Sequence, residues 1–141
     1  MRTAFTAAQL EDPGLAEAAA AVRGCVHCGL CNATCPTYQV LGDERDGPRG
    51  RIQLMQRMLE ANATPSATVV RHVDRCLSCL SCRTTCPSSV DYLRLVDEAR
   101  AHIAQTYRRP ASERWFRTFL AAVLPRPALF RLAMKDRKSV V

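Results

Sequence analysis

A cysteine pattern that occurs twice constrains this chain more than any other feature of its sequence. The segment Cys25-Val26-His27-Cys28-Gly29-Leu30-Cys31-Asn32-Ala33-Thr34-Cys35-Pro36 returns as Cys76-Leu77-Ser78-Cys79-Leu80-Ser81-Cys82-Arg83-Thr84-Thr85-Cys86-Pro87. All four cysteines and the proline recur at one offset of 51 residues. The chain therefore contains two copies of one unit, and each copy is followed by a segment of helical character.

The spacing C-x2-C-x2-C-x3-C-P is typical of ferredoxin-type [4Fe–4S] sites. Three cysteines two residues apart can direct their sulfurs to three corners of one cube from a single short loop. The fourth follows a longer gap and a proline that fixes φ, so the chain is already leaving that cube. In two-cluster proteins this fourth cysteine ligates the other cluster. The spacing thus predicts two [4Fe–4S] clusters, the first held by Cys25, Cys28, Cys31 and Cys86, the second by Cys76, Cys79, Cys82 and Cys35.

Zinc and disulfides are the alternative uses of eight cysteines. Structural zinc sites use C-x2-C pairs with longer spacers and do not require three cysteines in a run plus a fourth. A zinc-stabilised binding module nevertheless stays open as a function of a different class. Disulfides would leave the repeat unexplained, and acidic residues interrupt the N-terminal segment where a secretory signal would need a continuous apolar run. A reducing compartment is therefore expected, the cytoplasm, with the inner face of the cytoplasmic membrane as a further place of association.

The formal charge of +7 raises the question of nucleic acid. Four thiolates around each cluster leave net negative charge at both sites, which accounts for part of the excess of arginine. We therefore expect no nucleic-acid partner. The sequence also lacks a nucleophile–base set and a flavin or nicotinamide motif, so no substrate-activating site is predicted.

Helix signals predict an all-α chain with the fold of an α-helical ferredoxin. Three domain segments are expected: a two-cluster domain over residues 1–110, a helical extension over 111–135, and a tail over 136–141. Asp12-Pro13 opens a helix that Gly24 closes, and the apolar spacing from Pro48 through Leu59 predicts another. Ser66 and Asp91 are expected to cap two more, which end near Cys76 and before Pro110. Further helical stretches run over residues 112–124 and after the break at 125–127.

Three segments have two interpretations each. His27 is expected to pack on a cluster or to donate a hydrogen bond to sulfur, not to act as a ligand. Gly29, Ser78 and Ser81 are expected to tune the potential by hydrogen bonding. The segment Gly47–Arg51 is expected to form a tight turn whose arginines pair with acidic neighbours or face a cluster, and an anion site is the alternative. The apolar stripe from Trp115 to Val123 is expected to pack in a core or against a subunit, and a membrane-surface stripe is the alternative.

The chain resembles the iron–sulfur subunits of glycolate oxidase, a glycolate dehydrogenase. The resemblance rests on Cys25–Tyr38, Gly42–Ile52, Asp74–Cys79 and Leu124–Arg131, and it extends to about Met134. The double cysteine motif is shared with the subunits of lactate-utilisation enzymes and glycerol-3-phosphate dehydrogenase, and the stretch between the motifs favours glycolate.

This resemblance implies a flavin-bearing partner, FAD-containing dehydrogenase subunits that oxidise glycolate to glyoxylate. It also implies onward electron flow to a respiratory-chain acceptor, with peripheral association at the membrane left open. All eight cysteines match the family's cluster ligands. Members of that family continue into cysteine-rich repeats, whereas this sequence stops before them. Because Asp136–Val141 resembles a translated sequencing adapter, an artefactual end is the expectation for that segment.

Overall fold

The computed structural model of the chain describes residues 2–134, without the side chains of residues 132 and 133. Within this range the secondary structure is helical and contains no strand, which confirms the all-α prediction. The chain divides between Tyr107 and Arg108 into two compact units. The expected tail over 136–141 lies outside the described residues, and the expected three-segment division stays a prediction.

The first unit is built from short helices around the two cysteine motifs, which interrupt the helical course. Three of these helices, α1, α3 and α6, are not predicted from the sequence. The α-helices are α1 (Ala7–Leu10), α2 (Pro13–Gly24), α3 (Pro36–Leu41), α4 (Pro48–Ala61), α5 (Ala67–Asp74), α6 (Ser81–Thr85) and α7 (Tyr92–Thr106), and 3-10 turns occupy Leu30–Thr34 and Glu44–Asp46.

The apolar core of this unit lies between α2, α4, α5 and α7, in agreement with the apolar spacing of their sequences. Small residues on α2 allow α7 to pack closely against it. The cysteine motifs lie at the edge of this core: Cys25 belongs to it, and three other cysteines pack against it. The fully buried apolar side chains are those of Ala18, Ala19, Val22, Met55, Leu59, Val73, Leu95, Val96, Ala99 and Ile103.

Two of the three predicted helix caps are observed. Asp12 Oδ1 accepts hydrogen bonds from the N–H groups of Gly14 and Leu15 at 2.8 and 3.2 Å, and Pro13 begins α2. Ser66 Oγ accepts from Val69 N at 3.4 Å at the start of α5. The prediction for Asp91 is half wrong. Helix α7 begins directly after it, but its side chain makes no capping bond, since its ψ of 77° departs from the usual cap conformation.

The second unit, described by itself, consists of α8 (Ala111–Val123) and α9 (Pro127–Met134). Trp115 and Phe119 stack at 5.9 Å between ring centroids, yet both are exposed, and no residue of α8 is buried. Core packing of the stripe is therefore not observed in the described residues, and packing against a subunit stays a prediction. In the part of the chain that the structure describes, no helix has the length and apolarity to cross a membrane.

Candidate metal centre

The two cysteine loops have left-handed residues at matching positions, and the matched segments that follow are a 3-10 turn in the first loop and an α-helix in the second. His27 and Ser78, which precede the second cysteine of each motif, have φ of 57° and 53°. Gly29 and Leu80, which follow that cysteine, have φ of 83° and 59°. Such left-handed residues are uncommon outside glycine, so their recurrence at matching positions indicates one loop geometry used twice. The repeat predicted from the sequence is thus present in the backbone.

Backbone hydrogen bonds repeat in the same way. Each loop is entered by a turn at the end of the preceding helix, and each ends in a turn that fixes the fourth cysteine. The bond lengths differ by 0.1 Å at most across the matched pairs. These pairs are Cys25 N to Val22 O and Cys76 N to Val73 O (3.1 and 3.2 Å), Asn32 N to Gly29 O and Arg83 N to Leu80 O (3.0 and 2.9 Å), and Cys35 N to Asn32 O and Cys86 N to Arg83 O (3.2 and 3.3 Å).

Two cavities lie beside these loops, and every cysteine of the chain lines at least one of them. Cys82 lies in the wall of both, and Pro48 and Tyr92 are also shared, so the cavities are neighbours. The eight cysteines are free thiols. The first cavity is lined by Cys25, Cys28, Cys31, Cys82 and Cys86, and the second by Cys35, Cys76, Cys79 and Cys82.

The thiol groups influence one another within these sets. Burial raises the pKa of Cys31, and the neighbouring Cys25 raises it further. Burial likewise raises the pKa of Cys82 to about 12, with a contribution from Cys76. In contrast, the pKa of Cys79 is lowered because the backbone N–H and hydroxyl of Ser81 donate to its sulfur. Converging free thiols of this kind bind metal as thiolates, so binding releases protons.

The donor set fits two four-sulfur metal centres. Soft thiolates in groups of four select iron–sulfur clusters or zinc, and not Mg²⁺ or Ca²⁺. Hydroxyl and amide donors also face the sulfurs: Ser81 donates to Cys79, and Tyr92 Oη lies 3.7 Å from Cys76 Sγ. Ser81 therefore has the hydrogen-bonding role expected for it. Ser78 Oγ instead accepts from Arg100 at 2.6 Å.

The N-terminus of α4 lies between the two cavities. Pro48 lines both, Arg49 lines the first and Arg51 lines the second. A side chain at Gly50 would collide with the backbone of Glu44, so only glycine permits this close approach to the preceding turn. The expected pairing of an arginine with an acidic neighbour is confirmed, because Arg49 Nε lies 2.6 Å from Glu44 Oε1. The expected tight turn is wrong, since Pro48–Arg51 form the first turn of α4, and the facing of a cluster stays a prediction.

A buried polar network centred on Asp46 extends from the second cavity into the protein. Its carboxylate accepts from Arg75 Nη1 at 2.9 Å, lies 2.9 Å from His72 Nδ1, and lies 3.5 Å from Arg51 Nη2. Asp46, His72 and the Arg51 side chain are buried. Asp43, Asp46 and His72 could offer three ligand atoms to a cation. The two guanidiniums at Asp46 oppose that use, and they make the site one of internal ion pairing.

His27 lines the first cavity, and its pKa is lowered mainly by burial. Its Nε2 is buried without a hydrogen-bond partner among the described residues. Its expected contact with a cluster stays a prediction. Sequence reasoning did not find Thr37, Asp46, His72 or Tyr92. The only signal for Asp46 was its place in the charged Gly42–Gly50 segment, and the other three gave none.

The fold and the paired thiol sites define a ferredoxin-type iron–sulfur domain. Residues 21–90 match the 4Fe–4S dicluster domain family, and the chain therefore belongs to the iron–sulfur proteins that carry this domain. It carries two [4Fe–4S] clusters, as the cysteine spacing predicts.

Two curated relatives extend the likeness beyond the motifs. The chain is 50% identical over 131 residues, 93% of its length, to the glycolate oxidase iron–sulfur subunit of Escherichia coli (strain K12). It is 40% identical over 94 residues, 66% of its length, to the probable glycolate oxidase iron–sulfur subunit of Bacillus subtilis (strain 168). The matches span 32% of the E. coli protein and 21% of the B. subtilis protein, so the chain spans only part of the length of these relatives. No solved structure matched the chain significantly.

Proposed function

We propose that the chain is the cluster-bearing part of the electron-transfer subunit of a glycolate oxidase complex. The observation that carries this proposal is the 50% identity to the E. coli subunit over nearly the whole chain. In this function the polypeptide activates no substrate. It holds two redox centres close together and relays electrons between partners.

The ligand sets that we propose are crossed between the motifs. The first cluster is held by Cys25, Cys28 and Cys31 of the first motif and by Cys86 of the second. The second cluster is held by Cys76, Cys79 and Cys82 of the second motif and by Cys35 of the first. The wall of each cavity supports this assignment, since Cys86 lies with the first motif and Cys35 with the second. Cys86 also contributes to the raised pKa of Cys31, in agreement with a place beside the first motif.

When bound, the clusters supply one-electron redox chemistry. The chain's residues keep the sulfurs in place and offer them hydrogen bonds, and the core around Cys25 shields one side of the first cavity from water. Cys28 and Cys79 are the exposed members of the two motifs, so each site has an edge that a partner can approach. The shared wall at Cys82 keeps the path between the sites short.

The proposed electron donor is an FAD-containing dehydrogenase subunit that oxidises glycolate to glyoxylate, releasing two electrons and two protons. The proposed acceptor belongs to the respiratory chain. We place the assembly in the cytoplasm, with peripheral association at the inner face of the cytoplasmic membrane. Lactate or glycerol-3-phosphate dehydrogenase complexes remain the alternatives within this class, because the substrate binds on another subunit.

Metal analysis of the anaerobically purified chain tests the class of cofactor. Two clusters require eight iron and eight sulfide per chain and broad absorption near 400 nm. Zinc without sulfide would support the binding-module alternative and contradict the iron–sulfur assignment.

Co-purification tests the complex. The chain is co-expressed with candidate flavoprotein subunits, and the isolated complex is assayed on glycolate, lactate and glycerol-3-phosphate with an artificial acceptor. We expect glycolate to be turned over fastest and the isolated chain to turn over none of the three. Turnover of glycolate by the chain alone, or preference of the complex for another acid, would contradict the proposal.

A further inference from the structure

The fourth cysteine of the first motif lies in a polar pocket. Cys35 is 7% exposed, and its Sγ lies 3.2 Å from Thr37 Oγ1 and 3.9 Å from Arg51 Nη1. A thiolate ligand has no proton to donate, so it can only accept. The guanidinium of Arg51 is therefore a donor to Cys35 once its thiol proton is lost. The Thr37 hydroxyl, which donates to Asp46 O at 2.8 Å beside the thiol, becomes a second donor by rotating towards the thiolate.

A buried positive charge lies at this pocket. Arg51 and Arg75 share the single carboxylate of Asp46, at 3.5 and 2.9 Å, and guanidiniums stay charged at all relevant pH. The Arg51 side chain is 1% exposed and also donates from Nε to His72 O at 2.7 Å, so it is held in place. Because the Arg75 side chain is 44% exposed, water screens its charge, and the buried positive charge beside Cys35 is that of Arg51. A negatively charged cluster gives Arg51 a second counter-charge besides Asp46.

The first cavity differs from this pocket in the exposure of its arginine and in the surroundings of its fourth cysteine. Arg49 reaches its wall, but that arginine pairs one to one with Glu44, and its side chain is 36% exposed. Water and salt therefore screen its charge. Cys86, the counterpart of Cys35, packs against the apolar core next to Val90.

We infer that Arg51 and Thr37 raise the reduction potential of the cluster ligated by Cys35, and that this cluster is the more easily reduced of the two. The inference rests on the crossed ligand sets of the proposed function. Reduction adds negative charge to a cluster, and nearby positive charge and hydrogen bonds to sulfur stabilise the reduced form. The network of Asp46 and His72 positions Arg51 for this role. Electrons arriving at the domain then settle first on the cluster of the second motif.

The test uses the full chain, reduced stepwise under anaerobic conditions and followed by electron paramagnetic resonance. The cluster that Cys35→Ser disturbs identifies the relevant midpoint potential. Arg51→Met is expected to make reduction of that cluster at least ten-fold less favourable, a shift of about 59 mV or more to negative potential. Thr37→Val, which keeps the side-chain volume and removes the hydroxyl, is expected to shift it in the same direction by a smaller amount. Arg51→Lys should recover part of the loss because it keeps the charge.

Arg57→Met is the matched control, since it removes the same charge from the exposed face of α4. In Arg57→Met we expect the equilibrium constant for reduction of either cluster to change by less than two-fold. Iron and sulfide content is measured for every variant. Wild-type protein without two clusters would contradict the proposed function. Two intact clusters whose potentials do not respond to Arg51→Met and Thr37→Val would overturn this inference alone.

Two further outcomes would also overturn the inference. If Arg51→Met fails to load clusters, the nearly isosteric Thr37→Val carries the test, and an unchanged potential in that variant overturns the inference. A shift confined to the cluster that Cys86→Ser disturbs would overturn it as well.

Discussion

The two cysteine loops share their left-handed positions and their turn hydrogen bonds, and they differ in what surrounds them. At the position after the second cysteine, the first loop has Gly29 and the second has Leu80, both in the left-handed conformation. Gly29 leaves room for Arg49, whose guanidinium lies where a side chain at Gly29 would be. Leu80 accepts a strain of about 1 kcal/mol and packs against the apolar core. The ligand geometry thus tolerates different residues, and the surroundings of the two loops determine which residue fits.

The same contrast holds at the end of each motif. After Cys35, helix α3 begins at once with Pro36, and the chain turns through Asp46 and α4 back to the second cavity. After Cys86 only a short turn precedes α7. The longer connection gives the second cavity a buried charge network, whereas the first cavity has an apolar wall. Equal ligand sets therefore produce unequal sites.

Replacement of the fourth cysteine of either motif by serine is expected to have the largest effect. It tests whether the ligand sets of the two sites are crossed. Cys35→Ser should remove or convert the cluster of the second motif and leave that of the first motif in place. Cys86→Ser should do the reverse. Iron content falling from eight towards four, with loss of a different resonance signal in each variant, is the expected result. Loss of the same-motif cluster in either variant would contradict crossed ligation.

The sequence was sufficient to predict the repeat, the helical class, most helices near their observed bounds and the residue types of the sites, because these depend on local spacing. Periodicity located the buried face of α4, and Asp12 and Ser66 located two helix starts. The network of Asp46, Arg51 and His72 could not be predicted in the same way. Asp46 and His72 are 26 residues apart in the sequence, and their contact depends on how α4 and α5 pack.

The apolar stripe of α8 shows a second limit of prediction from the sequence. Trp115, Phe116 and Phe119 have the periodicity of a buried helix face, yet all three are exposed. Helical spacing of apolar residues indicates that a face is available for packing, but it does not say which surface covers it.

Removal of the charge on Asp46 tests whether the buried network belongs to the second site. Asp46→Asn leaves the buried guanidinium of Arg51 without a counter-charge, and we expect a loss of about 3–5 kcal/mol in the free energy of unfolding. Anaerobic denaturant unfolding followed by circular dichroism measures it. Asp43→Asn is the matched control, because Asp43 pairs with Arg45 at the surface and its loss should change stability little. Equal effects of the two substitutions would show that the network contributes no more than a surface pair.

A side chain at Gly29 sharpens the comparison of the loops. Gly29→Ala forces a residue with Cβ into φ of 83° and displaces the Arg49 guanidinium, so we expect a loss of about 1–2 kcal/mol. Gly42→Ala is the control, since Gly42 has φ of 67° but no atom within 4 Å of the added Cβ. Its cost should be the strain alone, about 1 kcal/mol. A larger loss for Gly42→Ala than for Gly29→Ala in the same unfolding experiment would exclude a role for the contact with Arg49.

The smallest effect is expected from Tyr92, whose ring lies in the wall of both cavities while its hydroxyl lies 3.7 Å from the sulfur of Cys76 alone. Tyr92 is 3% exposed, so Tyr92→Phe keeps the buried ring and removes one donor to a ligand of the second motif. We expect a stability change of about 1 kcal/mol or less. We also expect a shift to negative potential smaller than that of Arg51→Met, because a neutral hydroxyl stabilises added charge less than a guanidinium does. Potentiometric titration of the loaded chain measures both clusters at once. Since the ring is retained in both walls, the first-motif cluster serves as the internal control, and a larger shift there than in the second would refute the assignment of this donor to Cys76.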